Sequence, residues 1–370
     1  MRPVWQSRWR VNPVSTNECF ASARRSKHQG GSTRPPVWQL GERVAESAPM
    51  SSGGEQLPDW ERLLAAERHL QKLVPGSVLV GGTAAAIHAR HRVSLDGDHV
   101  LEDLRSRFDE VLAALEAAAG WRTERVQRPV LILGELDGVL TGIRQLRRTR
   151  PLDTEEVAGL RVPTLAEMAR IKAWLLATRY AVRDYLDTVV LFECLGDAGV
   201  ADALRPFDEI YRQPTGVSPL AEAVERLAAA APEDKADVDL TQYRSITPPW
   251  NDWRHLAASG RYWARCIAPI VLEGAVTDDA LQRSRALWNR TRCDLENDET
   301  LAQILDRGEI EVWRDVYRRA KSDARLRQRI ARIVLTVPTP LPRFWLAALA
   351  SLGESVDLGA PVPDYTTQSV

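Results

Sequence analysis

The chain has 370 residues, of which 44% are hydrophobic and 27% charged, and its formal net charge at pH 7 is −1. These values are ordinary for a globular protein with room for two domains, so composition selects no class of partner. No run of about 18 apolar residues and no leader-like apolar stretch occurs, so we expect no membrane span, no secretory signal and a cytoplasmic protein. Four widely spaced cysteines favour thiols in a reducing compartment.

Residues 1–57 are rich in Ser, Gly, Pro, Gln and Arg and show no sustained apolar periodicity. We expect this segment to be disordered or loosely attached. The globular pattern begins just after Met50, so a translation start at Met50 in place of Met1 is an open alternative.

Between residues 58 and 197, helical and strand patterns alternate along the chain. In order, they predict a helix over 58–73, the strand SVLVG, the helix TAAAIHARH, a strand near 93–100, a helix ended by Gly120, and the strands RPVLILGEL and VLTGIRQLRR joined by an Asp137-Gly138 turn. One long helix is predicted after Pro163, with Thr164 and Glu167 as a capping box. We therefore expect an α+β fold with a small mixed β-sheet flanked by helices.

From residue 198 onward, helical patterns interrupted by prolines predominate. We divide this part into a helical region of the core over 198–275, a helical extension or fused module over 276–357, and a tail over 358–370. Between Arg314 and Arg332, eight residues are basic and two acidic, which fits either contact with RNA or an acidic partner, or an ordinary charged helix surface.

The segment VGGTAAAIHARHRVSLDGDHVL combines a glycine turn with two closely spaced aspartates. Gly81 and Gly82 let backbone amides approach a ligand, and the helix that follows, with the Thr83 hydroxyl, favours a phosphate. Asp96 and Asp98 lie on a predicted strand, so both carboxylates leave one face and form an oxygen site for Mg²⁺ or Mn²⁺. Phosphates beside a divalent cation are typical of phosphoryl or nucleotidyl transfer. A tight turn followed by solvated aspartates is the simpler alternative.

The predicted long helix carries a second group of polar side chains. At about 100° per residue, four of them share one stripe beside an apolar seam: Lys172, Arg179, Arg183 and Asp187. Asp184 lies about 60° from Asp187. The stripe points toward a cleft at the edge of the core, although an Arg183–Asp187 ion pair on a solvated face explains it equally well.

Gly81-Gly82-Thr83, HRVSLDGD and KAWLLATRYAVRDYLD together resemble the AbiEii-type nucleotidyltransferase toxins. This family belongs to the polymerase-β-like nucleotidyltransferase superfamily and acts in toxin–antitoxin and phage-defence systems. The resemblance covers about 75–195, and its motifs occur in the expected order.

The resemblance implies roles for individual residues. Asp96 and Asp98 would bind the metal and act in catalysis, together with Lys172 and an aspartate of the Arg-Asp-x-x-Asp end, for which Asp187 is preferred and Asp184 is second. We assign NTP binding to six residues, namely Gly81, Gly82, Thr83, Lys172, Arg179 and Arg183. For the acceptor we assign five arginines, namely Arg90, Arg92, Arg144, Arg147 and Arg148; a charged strand edge is the alternative for the last three.

Two departures from the family pattern bear on activity. Gly97 stands between the aspartates, where an apolar residue is usual, and the third carboxylate of the superfamily has only Glu135 and Asp137 as candidates. Asp137 is more simply explained by the Asp-Gly turn. His91 is either a general base or a surface residue.

We therefore expect a Mg²⁺-dependent nucleotidyltransferase that transfers a nucleoside monophosphate from an NTP to an acceptor hydroxyl. By resemblance, the acceptor would be the 3′ end of tRNA or a protein side chain, and the partner an antitoxin. The alternatives are a catalytically weak binding module of the same fold and an antibiotic-modifying nucleotidyltransferase.

Overall fold

The computed structural model describes residues 59–214, 216–277, 279–289 and 293–365. The predictions made for residues 1–57, including the alternative start at Met50, lie outside the described residues. Among the described helices, none combines the length and the apolarity needed to cross a bilayer.

In the first half of the chain, helices and strands follow the expected order apart from one additional hairpin and one break in the long helix. Among the described residues of the second half, the regular elements are helices. The helices are α1 (Asp59–Leu73), α2 (Gly81–Ala89), α3 (Leu104–Glu116), α4 (Leu165–Arg179), α5 (Val182–Leu204), α6 (Phe207–Ile210), α7 (Pro219–Ala229), α8 (Trp253–Ile267), α9 (Pro269–Leu272), α10 (Asp298–Arg307), α11 (Ile310–Ala320), α12 (Ala324–Thr336) and α13 (Pro342–Ser351). The strands are β1 (Val78–Val80), β2 (Asp98–Leu101), β3 (Trp121–Gln127), β4 (Leu131–Leu136), β5 (Val139–Gln145), β6 (Thr154–Val157) and β7 (Leu160–Pro163). The predicted α+β class is confirmed.

Five strands form one mixed sheet in the order β1-β2-β5-β4-β3. Only the β2–β5 pair is parallel, with His99 opposite Ile143, and the other pairs are antiparallel. The β4–β5 hairpin turns at Asp137 and Gly138, whose φ angles of 51° and 80° are those that an Asp-Gly turn provides. The separate β6–β7 hairpin was not predicted from the sequence.

The predicted single helix after Pro163 is wrong, because it is broken into α4 and α5. Tyr180 has a φ of 47°, in the left-handed region, and ends α4. Its buried side chain donates to the carbonyl of Arg226 at 3.0 Å and accepts from the amide of Ala231 at 2.8 Å. These contacts with the end of α7 stabilise the break. Because α7 is distant in sequence, the residues around Tyr180 alone do not predict it.

The predicted cap at Thr164 is present in one of its two halves. The Thr164 hydroxyl accepts from the amide of Glu167 at 3.2 Å. The Glu167 carboxylate does not return to Thr164, whose amide donates instead to the carbonyl of Asp153. The Glu167 carboxylate instead accepts from Arg148 and Arg170, each at 2.7 Å.

One apolar cluster extends through most of the described chain. It begins with Leu64 and Leu79, includes buried residues of α4, α5, α7, α8 and α13, and ends at Leu358. A second cluster, around Leu70, Phe108 and Ile143, lies between α1, α3 and the sheet. The C-terminal helices therefore share a core with the sheet-containing half, and the division of residues 198–370 into separate regions stays a prediction.

Candidate active site

The glycine turn and Asp98 are in direct proximity. β1 ends at Val80, one residue earlier than predicted, and α2 begins directly at Gly81, whose φ is 76°. Val80 pairs with Asp98 across the β1–β2 ladder, so the Asp98 side chain lies against the turn. A Cβ at Gly81 would be 3.0 Å from the Oδ2 atom of Asp98. The backbone angle therefore favours glycine here, and a larger side chain would crowd Asp98.

Gly82 in the first turn of α2 is surrounded by polar groups. A Cβ at this position would lie 2.8 Å from Nη2 of Arg92 and 2.9 Å from Oγ of Ser94. Ser94, whose hydroxyl donates to Oδ1 of Asp96 at 2.9 Å, was missed in the sequence, although it lies two residues before Asp96. No side chain caps α2 at Val80. The first-turn amides thus combine with the helix dipole to favour an anion beside these groups.

Thr83 is placed differently from the phosphate contact that was expected. Its side chain is fully buried, and its hydroxyl donates to the backbone carbonyl of Asp96 at 2.6 Å. This contact fastens the aspartate segment to α2 and leaves the hydroxyl turned away from solvent. The contacts indicate a structural role for Thr83.

Asp96 and Asp98 both lie beside the glycine turn, but only Asp98 belongs to a regular strand. Asp98 opens β2, whereas Asp96 forms an isolated bridge with Leu140 of β5. Oδ1 of Asp98 is buried and accepts no hydrogen bond from the described residues, and Nε of Arg144 lies 3.7 Å from it. A buried carboxylate oxygen without a donor is unfavourable unless another group binds it. A hard cation with oxygen ligands fits that place.

Glu135 and Asp137, the two candidates for a third carboxylate, contact residues other than Asp96 and Asp98. Glu135 of β4 pairs with Arg122 on the neighbouring strand β3. Asp137 lies in the hairpin turn, where its carboxylate contacts Nδ1 of His69 at 2.8 Å. In the described ranges, no cluster of three or more His, Cys, Asp or Glu side chains is placed to hold a metal. The acidic ligands available here are Asp96 and Asp98, so phosphate oxygens or water would have to complete the shell of a cation.

Asp187 of α5 is the centre of a buried network of charged groups. Its Oδ2 atom lies 2.7 Å from Nζ of Lys172, which is also 3.7 Å from Oδ1 of Asp184. Asp187 accepts from Nε and Nη2 of Arg92, both at 2.9 Å, and from Nε2 of His91 at 2.7 Å. The alternative of a solvated Arg183–Asp187 pair is therefore wrong, because the Asp187 side chain is fully buried among these partners.

The network fixes the charge of its members. Burial by itself would raise the pKa of Asp187, but the charges of Arg92 and Lys172 and the His91 hydrogen bond outweigh it and hold that pKa well below its usual range. Burial lowers the pKa of His91, more than contact with Asp187 raises it. His91 is buried and its Nε2 atom contacts Asp187, so it is not a surface residue, and that ring nitrogen is not open to a substrate.

Arg179 and Asp184 form a second pair where α4 meets α5. Nε and Nη2 of Arg179 each donate to the buried Asp184 carboxylate at 2.6 Å. Burial lowers the pKa of Arg179, but Asp184 and, more weakly, Asp98 raise it, so the net shift is upward. Arg179 is thus a cation within the field of Asp98, and one-fifth of its side chain is exposed. Arg183 is half-buried and acts electrostatically on Tyr243.

The arginines expected to bind an acceptor divide into two kinds. Arg92 is buried against Asp187, and the half-buried Arg148 donates to Glu167 and to the carbonyls of Arg150 and Pro151. Neither residue is therefore proposed as an acceptor contact. Both guanidinium groups donate to partners within the chain, so binding an acceptor would break those hydrogen bonds. Arg90 and Arg147 are exposed, and Arg144 lies beside Asp98.

The basic residues of α11 and α12 are largely paired within the chain. Arg318 and Arg319 bind Asp315, and Arg329 and Arg332 bind Asp298. This pairing favours a charged helix surface over a dedicated RNA contact.

Comparison with known proteins gives a fold-level likeness only. No family model matches the chain, and no curated protein matches it significantly. Similar solved structures include JHP933 from Helicobacter pylori, at 16% identity and a TM-score of 0.36, covering 56% of this chain and 89% of that one. They also include a candidate nucleotidyltransferase from H. pylori (16%, 0.34, 56% and 92%) and ANT(2″)-Ia in complex with adenylyl-2″-tobramycin (14%, 0.32, 41% and 98%). At these values the likeness assigns no activity, and function has to rest on the residues.

Proposed function

We propose that the chain is a nucleotidyltransferase, which moves a nucleoside monophosphate from an NTP to an acceptor hydroxyl. The acceptor oxygen bonds to the α-phosphorus, the bond from that phosphorus to the α,β-bridging oxygen breaks, pyrophosphate leaves, and the hydroxyl proton is released to solvent. The observation that carries this proposal is the contact of Asp98 with the glycine turn: Oδ2 would lie 3.0 Å from a Cβ at Gly81, while Oδ1 is buried and accepts no hydrogen bond from any residue in the described ranges. The turn begins a helix, which attracts phosphate, and the carboxylate attracts a divalent cation. An NTP with its cation supplies both.

The remaining residues have distinct roles in this proposal. Asp96 and Asp98 would hold Mg²⁺ or Mn²⁺, which would supply positive charge beside the phosphates. The first-turn amides of α2 bind the phosphate oxygens, with Arg179 as an accessible cation nearby. Lys172 is 2% exposed and bound to Asp187, so we assign it to holding α4 and α5 in place beneath the site, not to the phosphate contact that the resemblance implied.

The finer parts of the proposal rest on the sequence resemblance to the AbiEii-type toxins. We propose the 3′ end of tRNA as the acceptor, with a protein hydroxyl as the second choice. Arg90, Arg144 and Arg147 are the basic residues that remain for such an acceptor. The biological role would be that of a cytoplasmic toxin in a toxin–antitoxin or phage-defence system, restrained by an antitoxin.

A binding module of the same fold, with weak or no catalysis, is the second candidate. Because His99 is opposite Ile143 in the β2–β5 ladder, the residue opposite Asp98 on β5 is Gly142, which offers no third acid. Such a module would bind nucleotide without transferring it.

Label transfer tests the proposal. The purified protein is incubated with each α-labelled NTP, with Mg²⁺ or Mn²⁺, and with total tRNA or total protein. We expect label on the tRNA from the wild type and none from Asp96→Ala or Asp98→Ala, since removing a ligand removes the ion. Glu135→Ala, an acid of the same sheet paired with Arg122, is the matched control and should behave as the wild type.

Equal activity in the wild type and both aspartate variants would contradict the proposal. Nucleotide binding without transfer to either acceptor would favour the binding module. Transfer to an aminoglycoside, with resistance in place of growth arrest, would support the antibiotic-modifying alternative.

A further inference from the structure

A fully buried carboxylate lies on the other side of the sheet from the glycine turn. Glu67 of α1 is 0% exposed, and its Oε2 atom contacts Nε2 of His99 at 2.7 Å and accepts from Oγ1 of Thr141 at 2.8 Å. His99 belongs to β2 and Thr141 to β5. One side chain therefore connects the two parallel strands at the end of the sheet that carries the aspartates.

The position of Glu67 explains why glycine separates the two aspartates. Side chains alternate along an extended chain, so Asp98 points to the glycine turn while positions 97 and 99 point to α1. A Cβ at Gly97 would overlap the Glu67 carboxylate. A glutamate end normally moves aside, but this one is enclosed and bound by His99 and Thr141.

The same segment is held on its other edge by β5. The amide of Gly97 donates to the carbonyl of Leu140 at 2.9 Å, and Asp96 forms its bridge with Leu140, the residue before Thr141. The Asp96–Asp98 backbone is thus fixed by the β5 ladder from the side and by Glu67 from behind. A buried carboxylate contributes little net stability compared with apolar residues of the same volume, so its presence favours a role in geometry.

We propose that Glu67 is a positioning residue for the metal site: it holds β2 on β5 and fills the space behind Gly97, which sets the spacing of the Asp96 and Asp98 carboxylates. This inference rests on the proposed function. The sequence already places Glu67 on the buried face of α1, because it follows Leu63 and Leu64 and precedes Leu70 at helical spacing.

The experiment measures Mn²⁺ binding by electron paramagnetic resonance and, separately, the Mn²⁺ concentration that gives half-maximal label transfer. Glu67→Ala should weaken binding by about tenfold or more, as loss of a group that orients metal ligands does. Glu67→Gln should recover most of the affinity, because the amide keeps the shape and an oxygen for Thr141 and His99.

Gly97→Ala supplies a second, independent arm. Alone, it should weaken Mn²⁺ binding and lower the melting temperature, because the methyl group meets the Glu67 carboxylate. Combined with Glu67→Ala, it should bind Mn²⁺ more tightly than Gly97→Ala alone, because the methyl group then occupies the vacated space.

Asp315→Ala is the matched control for the loss of a buried carboxylate. Asp315 is 1% exposed in α11 and pairs with Arg318 and Arg319, so its loss should lower the melting temperature without changing Mn²⁺ affinity. If the wild type binds Mn²⁺ and Glu67→Ala binds it with the same affinity, the positioning role is overturned and the proposed function is not. The positioning role is also overturned if Asp315→Ala loses as much Mn²⁺ affinity as Glu67→Ala does. A wild type that binds no Mn²⁺ overturns the proposed function, and the inference with it.

Discussion

Replacing Asp187 by alanine removes the acceptor on which three buried side chains converge. Lys172 lies 2.7 Å from its Oδ2 atom, Arg92 donates twice at 2.9 Å, and His91 contacts Oδ1 at 2.7 Å. The alanine variant leaves two cations below 10% exposure with Asp184, 3.7 Å from Lys172, as a weaker counter-charge. Breaking a buried ion pair by removing one partner costs about 3–5 kcal/mol, which is a large part of the roughly 5–15 kcal/mol that stabilises a typical domain.

The free energy of unfolding, measured by urea titration at pH 7, tests this value. The matched control is Asp202→Ala on the same helix, α5, where the aspartate is 75% exposed and pairs with an exposed Arg205. That pair should contribute less than about 1 kcal/mol. The difference between the variants should persist at high salt, because buried pairs are screened little. Variants of equal stability would refute the conclusion that the Asp187 network stabilises the fold.

Two further substitutions test other parts of the structure. Gly81→Ala should abolish label transfer, because its methyl group would lie 3.0 Å from Oδ2 of Asp98. The control is Gly138→Ala, which has a φ of 80° but nothing within 4 Å of its Cβ, so it introduces backbone strain without crowding and should remain active. Equal losses of label transfer in the two variants would contradict the argument from crowding. Burial raises the pKa of Glu225 from 4.5 to about 8, against the hydrogen bond donated by the amide of Phe344. Because the folded pKa is the higher one, this contribution to stability is complete below pH 4.5 and is lost as the pH rises through about 8. The melting temperature should therefore fall between pH 6 and pH 9, and Glu225→Gln should reduce that fall; an unchanged slope would contradict the shift.

Local patterns predicted the parts of the fold that depend on neighbouring residues. The Asp137-Gly138 turn follows from the backbone preferences of a few residues and is present, whereas Gly81 and Gly82, expected before the helix, are its first residues. The break at Tyr180 is different, because it depends on hydrogen bonds to Arg226 and Ala231, about 50 residues away. Propensity alone continues the helix there.

The candidate site shows the same division. Asp96 and Asp98 were proposed as a pair from their spacing within one predicted strand, of which only Asp98 lies in a regular strand. Arg92 and Arg148 were assigned to the acceptor because each lies in a local group of basic residues. Their contacts with Asp187 and Glu167 join residues that are distant in sequence. The spacing of residues along the sequence does not indicate which distant residues become such partners.

The apolar cluster that runs from Leu64 to Leu358 makes the two halves of the chain interdependent. Helix α13 covers α7, and its Phe344 amide donates to Glu225 of that helix at 2.7 Å. Proteolytic removal of the last helices would bare the apolar faces of α7 and α8 to water. A chain cut there would be prone to self-association, so removing the C-terminal helices is not expected to leave a stable, independent N-terminal half.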